Sequence, residues 1–206
     1  MAVSNAKTLA LVGLAVFGAG RTDRVVAAQP RVQQEIVLDA QSADADLANN
    51  NEIFRKVRIT QGDMSIAADM GQGTQQKVRV DFDNSLWIFR GNVKIMMDHA
   101  QLTSDDAQIN FVKQELSKVV VNGKPAAFEQ RVAKTGKLAQ GHADNIDYDA
   151  GKGLVRLNKN AWLSDGQTEI HGESLKYNMV AQSIVAEASE QGSQRVHIVI
   201  APPSKP

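Results

Sequence analysis

Apolar and polar residues alternate with a period of two along most of this chain, from Ile36 onward. Val78, Val80 and Phe82 are separated by Arg79 and Asp81, and Trp87, Phe89, Val93 and Ile95 share one parity with Gly91 between them. Val155, Leu157, Ala161 and Leu163 repeat that arrangement, and Val196, Ile198 and Ile200 close the series. Successive side chains of a strand point to opposite faces, so the alternation predicts half-buried strands. Turn-forming clusters punctuate it at Asn49-Asn50-Asn51, Gly71-Gln72-Gly73, Asp83-Asn84, Asn122-Gly123-Lys124-Pro125, Gly151-Lys152-Gly153 and Asp165-Gly166. No capped helical period competes with this pattern. The predicted fold is all-β.

A longer repeat is laid over the alternation. An aliphatic residue is followed, after two positions, by an acidic or polar one, then by an aliphatic and an aromatic. Copies of this corner element start at Leu38, Ile66, Leu102, Ala139 and Ile170, at intervals of about 28, 36, 37 and 31 residues, which is the range of repeated supersecondary units. The copies from Leu102 to Phe111 and from Ile170 to Tyr177 are the most faithful, and Gly141 to Tyr148 is a third. One unit can bury its apolar face only against its neighbours, so the stack predicts a continuous two-walled interior with open ends. Parity assigns to that interior Ile36, Leu38, Val57, Ile59, Ile66, Phe89, Val93, Ile95, Ile109, Phe111, Phe128, Ile146, Tyr148, Leu157, Leu163 and Tyr177. These are the candidate ligand-binding residues. An apolar groove holds an apolar ligand without any specific polar contact, because each buried methylene contributes about 0.8 kcal/mol.

Composition narrows the function by exclusion. The 206 residues carry 23 Lys plus Arg against 23 Asp plus Glu, so the basic footprint of a nucleic-acid binder is missing and no nucleic-acid partner is expected. There is no cysteine, which excludes disulfides and thiolate metal sites. His99, His142, His171 and His197 have no metal-ligand spacing, and neither a metal nor a cofactor is expected. Asp105 and Asp106 are adjacent, so on a strand they point apart and cannot converge on one substrate atom. No catalytic residue is assigned, and an enzyme is not expected. Trp87 has interior parity and Trp162 outer-face parity. Met64, Met70, Met96, Met97 and Met179 read mostly as core filler, with flexible side chains that also suit an adaptable groove. Arg55, Lys56, Arg58, Arg90 and Lys94 read as a solvated strand face.

The N-terminus speaks to compartment. Lys7 precedes an uncharged apolar run from Thr8 to Gly20, stopped by Arg21, Asp23 and Arg24. That run is shorter than the ~20 residues a spanning helix needs and matches the apolar segment of a signal peptide. Small residues at Val26-Ala27-Ala28, or at Gly18-Ala19-Gly20, offer cleavage sites. The expected division is a signal peptide over 1–28, a linker over 29–35, one β domain over 36–202 and a short proline-rich tail over 203–206. An uncleaved anchor and an incidental apolar tail are the alternatives.

The segments Phe89-Arg90-Gly91-Asn92-Val93, Asn122-Gly123-Lys124-Pro125-Ala126-Ala127-Phe128-Glu129-Gln130, Gly141-His142-Ala143 and the closing Arg195-Val196 with Ile200-Ala201-Pro202 resemble, in their order, the OstA-like family. The resemblance covers about Ile36 to Pro202. It implies an antiparallel β-jellyroll in the periplasm whose apolar interior carries the lipid A acyl chains of lipopolysaccharide from the inner to the outer membrane. It singles out Ile36, Leu38, Phe128 and Tyr148 on the lipid path. It also implies edge-to-edge stacking on an LptC-like inner-membrane partner and an LptD-like outer-membrane partner, and head-to-tail homo-oligomers. Residues 36 to 78, with their own Ile59-Thr60-Gln61-Gly62 turn, read as an additional repeat. Two other readings stay open at this point: a membrane-anchored LptC-like acceptor and a ligand-free β-repeat scaffold.

Overall fold

The computed structural model describes residues 34–46, 51–74, 82–97, 99–131, 136–187 and 195–200. The expected signal peptide, nearly all of the linker, the tail, the Asn49-Asn50 pair and Val78 and Val80 lie outside them. Among the described residues every regular element is a strand: β1 Val37–Asp39, β2 Ser42–Asp46, β3 Asn51–Gln61, β4 Met64–Thr74, β5 Ser85–Met97, β6 Ala100–Val112, β7 Glu115–Arg131, β8 Leu138–Asp149, β9 Leu154–Ser164, β10 Thr168–Asn178, β11 Ser183–Glu187 and β12 His197–Ile200. The order is an antiparallel meander from β3 to β11. β1 and β2 both pair β3, and β11 and β12 both pair β10.

Long strands do not run straight through this sheet. The register shifts midway at each ladder from β4·β5 to β9·β10: Ala67/Met70, Arg90/Val93, Thr103/Asp106, Asn122/Ala126, His142/Asn145 and Gly172/Ser174. A bulge bends its strand and increases the local twist. A row of bulges therefore creases the whole sheet into two facing walls, a β-jellyroll. Ser85–Arg90 lies on the first wall and Val93–Met97 on the second, and the other long strands divide likewise. At either end of the folded sheet each wall finishes in its own short strand: β2 and β11 on the first, β1 and β12 on the second.

The repeating corner element is this crease. Its copies at Ile66, Leu102, Ala139 and Ile170 lie on β4, β6, β8 and β10, each running from the second wall to the first. The copy at Leu38 is the same passage interrupted, with β1 on one wall and β2 on the other. Two turn assignments are corrected. Gly71-Gln72-Gly73 lies inside β4, and Asn122-Gly123-Lys124-Pro125 lies inside β7 at its bulge, with a cis Lys124–Pro125 peptide. Of the Ile59-Thr60-Gln61-Gly62 turn only Gly62 lies between strands, the first three residues ending β3, whereas Asp83-Asn84, Gly151–Gly153 and Asp165-Gly166 do lie between strands.

Gly71 is in a strand because of what faces it. It sits in one cross-strand row between Phe54 and Phe89, and a Cβ there would lie 2.9 Å from Val57 Cγ1 and 3.1 Å from Phe89 Cε1. A missing side chain makes room for an aromatic one. Residues 36 to 74 supply β1 to β4, and β4 continues into the meander through β5.

Candidate functional site

All sixteen candidate residues face the space between the walls. Thirteen are buried, and Ile36, Leu38 and Tyr148 are partly buried and packed against the same cluster. Parity identified them because each half-strand keeps its period of two. Leu102, Val119, Val121 and Leu175 are equally buried; the bulges change parity mid-strand and put Leu102 out of phase with Ile109, and Val119 and Val121 out of phase with Phe128, while Leu175 shares the parity of Tyr177 in the same half-strand. Trp87 is buried at 0% exposure, and Trp162 lies on the outer face, stacked on His142 with ring centroids 5.0 Å apart. Met64, Met97 and Met179 pack against the core. Arg55, Lys56, Arg58, Arg90 and Lys94 are exposed.

The interior differs along its length. Toward the N-terminal end it is filled by rings on the first wall. Phe82 stacks on Trp87 at 4.8 Å with planes 2° apart, Phe54 and Phe89 flank the indole at 5.8 and 6.0 Å, and Phe111 meets Phe82 edge-on at 5.1 Å. Near this end Gln61 Nε2, on the second wall, donates to Gln114 O on the first at 3.0 Å, closing the seam opposite the crease. Toward the C-terminal end small residues such as Ala139 and Ala161 replace the rings. There a cavity of about 240 Å³ opens between the walls, with Ala139, Leu163 and Lys137 on one side and Tyr177, Gln182 and Ile184 on the other. Phe128 and Tyr177 approach each other across the interior at 6.2 Å. Burial pushes the Tyr177 phenol pKa up, so it stays neutral in this apolar setting.

The crease carries a polar chain that neither alternation nor composition disclosed. Ser174 Oγ donates to Asn158 Oδ1 (3.1 Å), Asn158 Nδ2 to Asn145 Oδ1 (3.0 Å), Asn145 Nδ2 to Asn122 Oδ1 (2.8 Å), and Asn122 Nδ2 to Asp106 Oδ1 (2.9 Å). Every donor points the same way, toward the carboxylate, so each bond polarises the next. Nearer the N-terminal end Lys56 and Asn92 both donate to Asp69, at 2.6 Å each, and hold its pKa below the ordinary value. Asp105 is exposed while Asp106 joins the chain, so the adjacent acids do not form a site. Among the described residues no group of three or more His, Asp or Glu is placed to hold a metal.

Four buried polar atoms have no hydrogen-bond partner among the described residues: Ser85 Oγ, Trp87 Nε1, Gln130 Oε1 and Asp147 Oδ1. Such groups are rare in folded proteins.

A family model described as LptA/(LptD N-terminal domain) LPS transport protein matches residues 74–183. The lipopolysaccharide export system protein LptA of Escherichia coli K12 is 30% identical over 125 residues, covering 60% of this chain and 66% of that protein, just under two thirds of its length. The Haemophilus influenzae protein of the same name is 26% identical over 156 residues, 76% of this chain and 86% of its own. Among solved structures, LptH of Pseudomonas aeruginosa, described as the LptA-homologous periplasmic component of a lipopolysaccharide transport device, superposes with a TM-score of 0.51 at 20% identity. It covers 82% of this chain and 96% of that one. That span is too long to exclude residues before 74, so β1 to β4 are not wholly surplus to the shared fold.

Proposed function

Because the chain belongs to the LptA/(LptD N-terminal domain) family of LPS transport proteins, we propose that it is a periplasmic lipopolysaccharide carrier that holds lipid A acyl chains between its two walls. The observation that carries this reading is the single apolar cluster running from Phe54 to Tyr177 between two walls that share their strands through the crease. Acyl chains need apolar area and a boundary that can part, and the seam opposite the crease, held near one end by the Gln61–Gln114 hydrogen bond, is the boundary this reading assigns to their entry. The residues in contact with lipid are the sixteen inward positions, with Phe128 and Tyr148 central. The protein performs no catalysis: it moves lipid along a continuous apolar path driven from elsewhere.

The ends of the fold support a bridging role. β11 and β12 leave Ile184, Val185, Ile198, Val199 and Ile200 exposed, and at the other end β1 and β2 each pair only β3 among the described residues. Edge strands invite pairing with another strand. One end then meets an LptC-like inner-membrane partner, the other an LptD-like outer-membrane partner, with further copies stacked head to tail between them. Export is through a cleaved signal peptide over 1–28. Mass spectrometry of the mature protein reads this directly, because a start at Met1 would favour the anchored, LptC-like reading.

Photo-crosslinking from Phe128 in intact cells tests the lipid path. Adducts with lipopolysaccharide from Phe128 and Tyr148, and none from outward Lys94, are expected. Adducts from Lys94 alone would discard the interior route.

A further inference from the structure

Two of the four unpartnered polar atoms belong to residues two apart on one face of one strand. Ser85 Oγ and Trp87 Nε1 are two residues apart on β5, at 6% and 0% exposure, and residues so spaced project to the same side. That side is the interior. The other two atoms, Gln130 Oε1 and Asp147 Oδ1, sit on different strands. Around the pair the surface is aromatic: Ser85 is in register with Phe111, and Phe82 lies parallel over the Trp87 indole. Phe82 belongs to no strand, so its ring can be displaced without breaking a ladder bond. Gly73, opposite Trp87, keeps the indole in place, since a Cβ there would lie 3.2 Å from Trp87 Cζ2.

We propose that Ser85 and Trp87 form a polar subsite within the apolar path, and that it takes the hydroxyl group of a hydroxylated acyl chain. The proposal rests on the reading of the interior as an acyl-chain path. The donor and acceptor inventory selects the hydroxyl. Indole N–H only donates, whereas a serine hydroxyl both donates and accepts. A ligand hydroxyl accepts from Trp87 Nε1 and donates to Ser85 Oγ, and it satisfies both atoms at once. An unsubstituted methylene chain in the same position leaves both unpaired. The subsite thus gives the path a preference for oxygen-bearing chains and a fixed depth at which the chain rests, at the aromatic end of the interior. The chain reaches the pair by displacing the Phe82 ring.

The test compares 3-hydroxytetradecanoate with tetradecanoate on the full ¹⁵N-labelled chain. A Trp162→Phe variant assigns the two indole N–H resonances. The hydroxylated acid is expected to bind roughly three- to tenfold more tightly, the range of one or two net hydrogen bonds, and to move the Trp87 indole proton downfield. Ser85→Ala and Trp87→Phe should each shrink that margin toward onefold; should Trp87→Phe fail to fold, Ser85→Ala decides. Equal binding of the two acids with an unmoved Trp87 resonance overturns the subsite and leaves the acyl path standing. Binding of neither acid removes the acyl path, and the subsite with it.

Discussion

A single carbon atom separates the two kinds of position that build this interior. At Gly71 the absent Cβ admits Phe89 and Val57, so Gly71→Ala overpacks the aromatic end. A loss of roughly 1–3 kcal/mol is expected from such crowding, read as a lower denaturant midpoint at unchanged slope. Phe128→Ala acts in the opposite sense, leaving a void beside Tyr177 and costing about 3–5 kcal/mol. On the outer face His142 titrates below its ordinary value of 6.5, first because it is partly buried and second because His171 is near. The folded state therefore disfavours its protonation. Its contribution to stability is fully present above 6.5 and is lost as pH falls from there toward the lowered folded value. An imidazole NMR titration should place His142 below 6.5, and His171→Gln should raise the midpoint only in part, because burial is the larger cause. None of this was visible in the sequence, where glycine reads as a turn and histidine as a surface residue.

Among the elements, the bulges carry the fold. Asn122-Gly123-Lys124-Pro125 has the composition of a turn, yet the chain bends there without reversing and continues along β7. Local preference sees only that the backbone must depart from a straight strand. Whether it reverses or kinks depends on the neighbouring strands, which kink at the same level. The Asp106–Asn122–Asn145–Asn158–Ser174 chain ties those kinks together across five strands. Asn145→Ala would leave Asn158 Nδ2 and Asn122 Oδ1 without their partner and should cost about 1–3 kcal/mol, measured by equilibrium unfolding. The repeat at Leu38, Ile66, Leu102, Ala139 and Ile170 was legible because each passage from wall to wall meets the same requirement: apolar, then polar at the crease, then apolar.

At the scale of the whole molecule the ends matter most. The folded sheet terminates in paired short strands, and at the C-terminal end β12 presents four exposed residues, His197–Ile200. Stacking through this edge predicts concentration-dependent growth in light scattering. Replacing Ile198 and Ile200 with lysine should abolish the growth while leaving the thermal transition little changed, since both side chains are exposed at 55% and 74%. A strictly monomeric wild-type chain at high concentration would count against homotypic stacking.

The sequence by itself determined the strand class, the inward set of residues and the recurrence of the corner, because period and repeat are properties of local steric preference and of which side chains water rejects. The tertiary structure decided what these become. It placed the bulges in one row, so that corners became a crease. It set Gly71 and Gly73 beneath rings from another strand, and brought five polar side chains, 68 residues apart at the extremes from Asp106 to Ser174, into one hydrogen-bonded line. It also left Ser85 and Trp87 unpaired in an apolar interior. Each of these depends on which strands lie side by side, a relation that spacing along the chain does not contain.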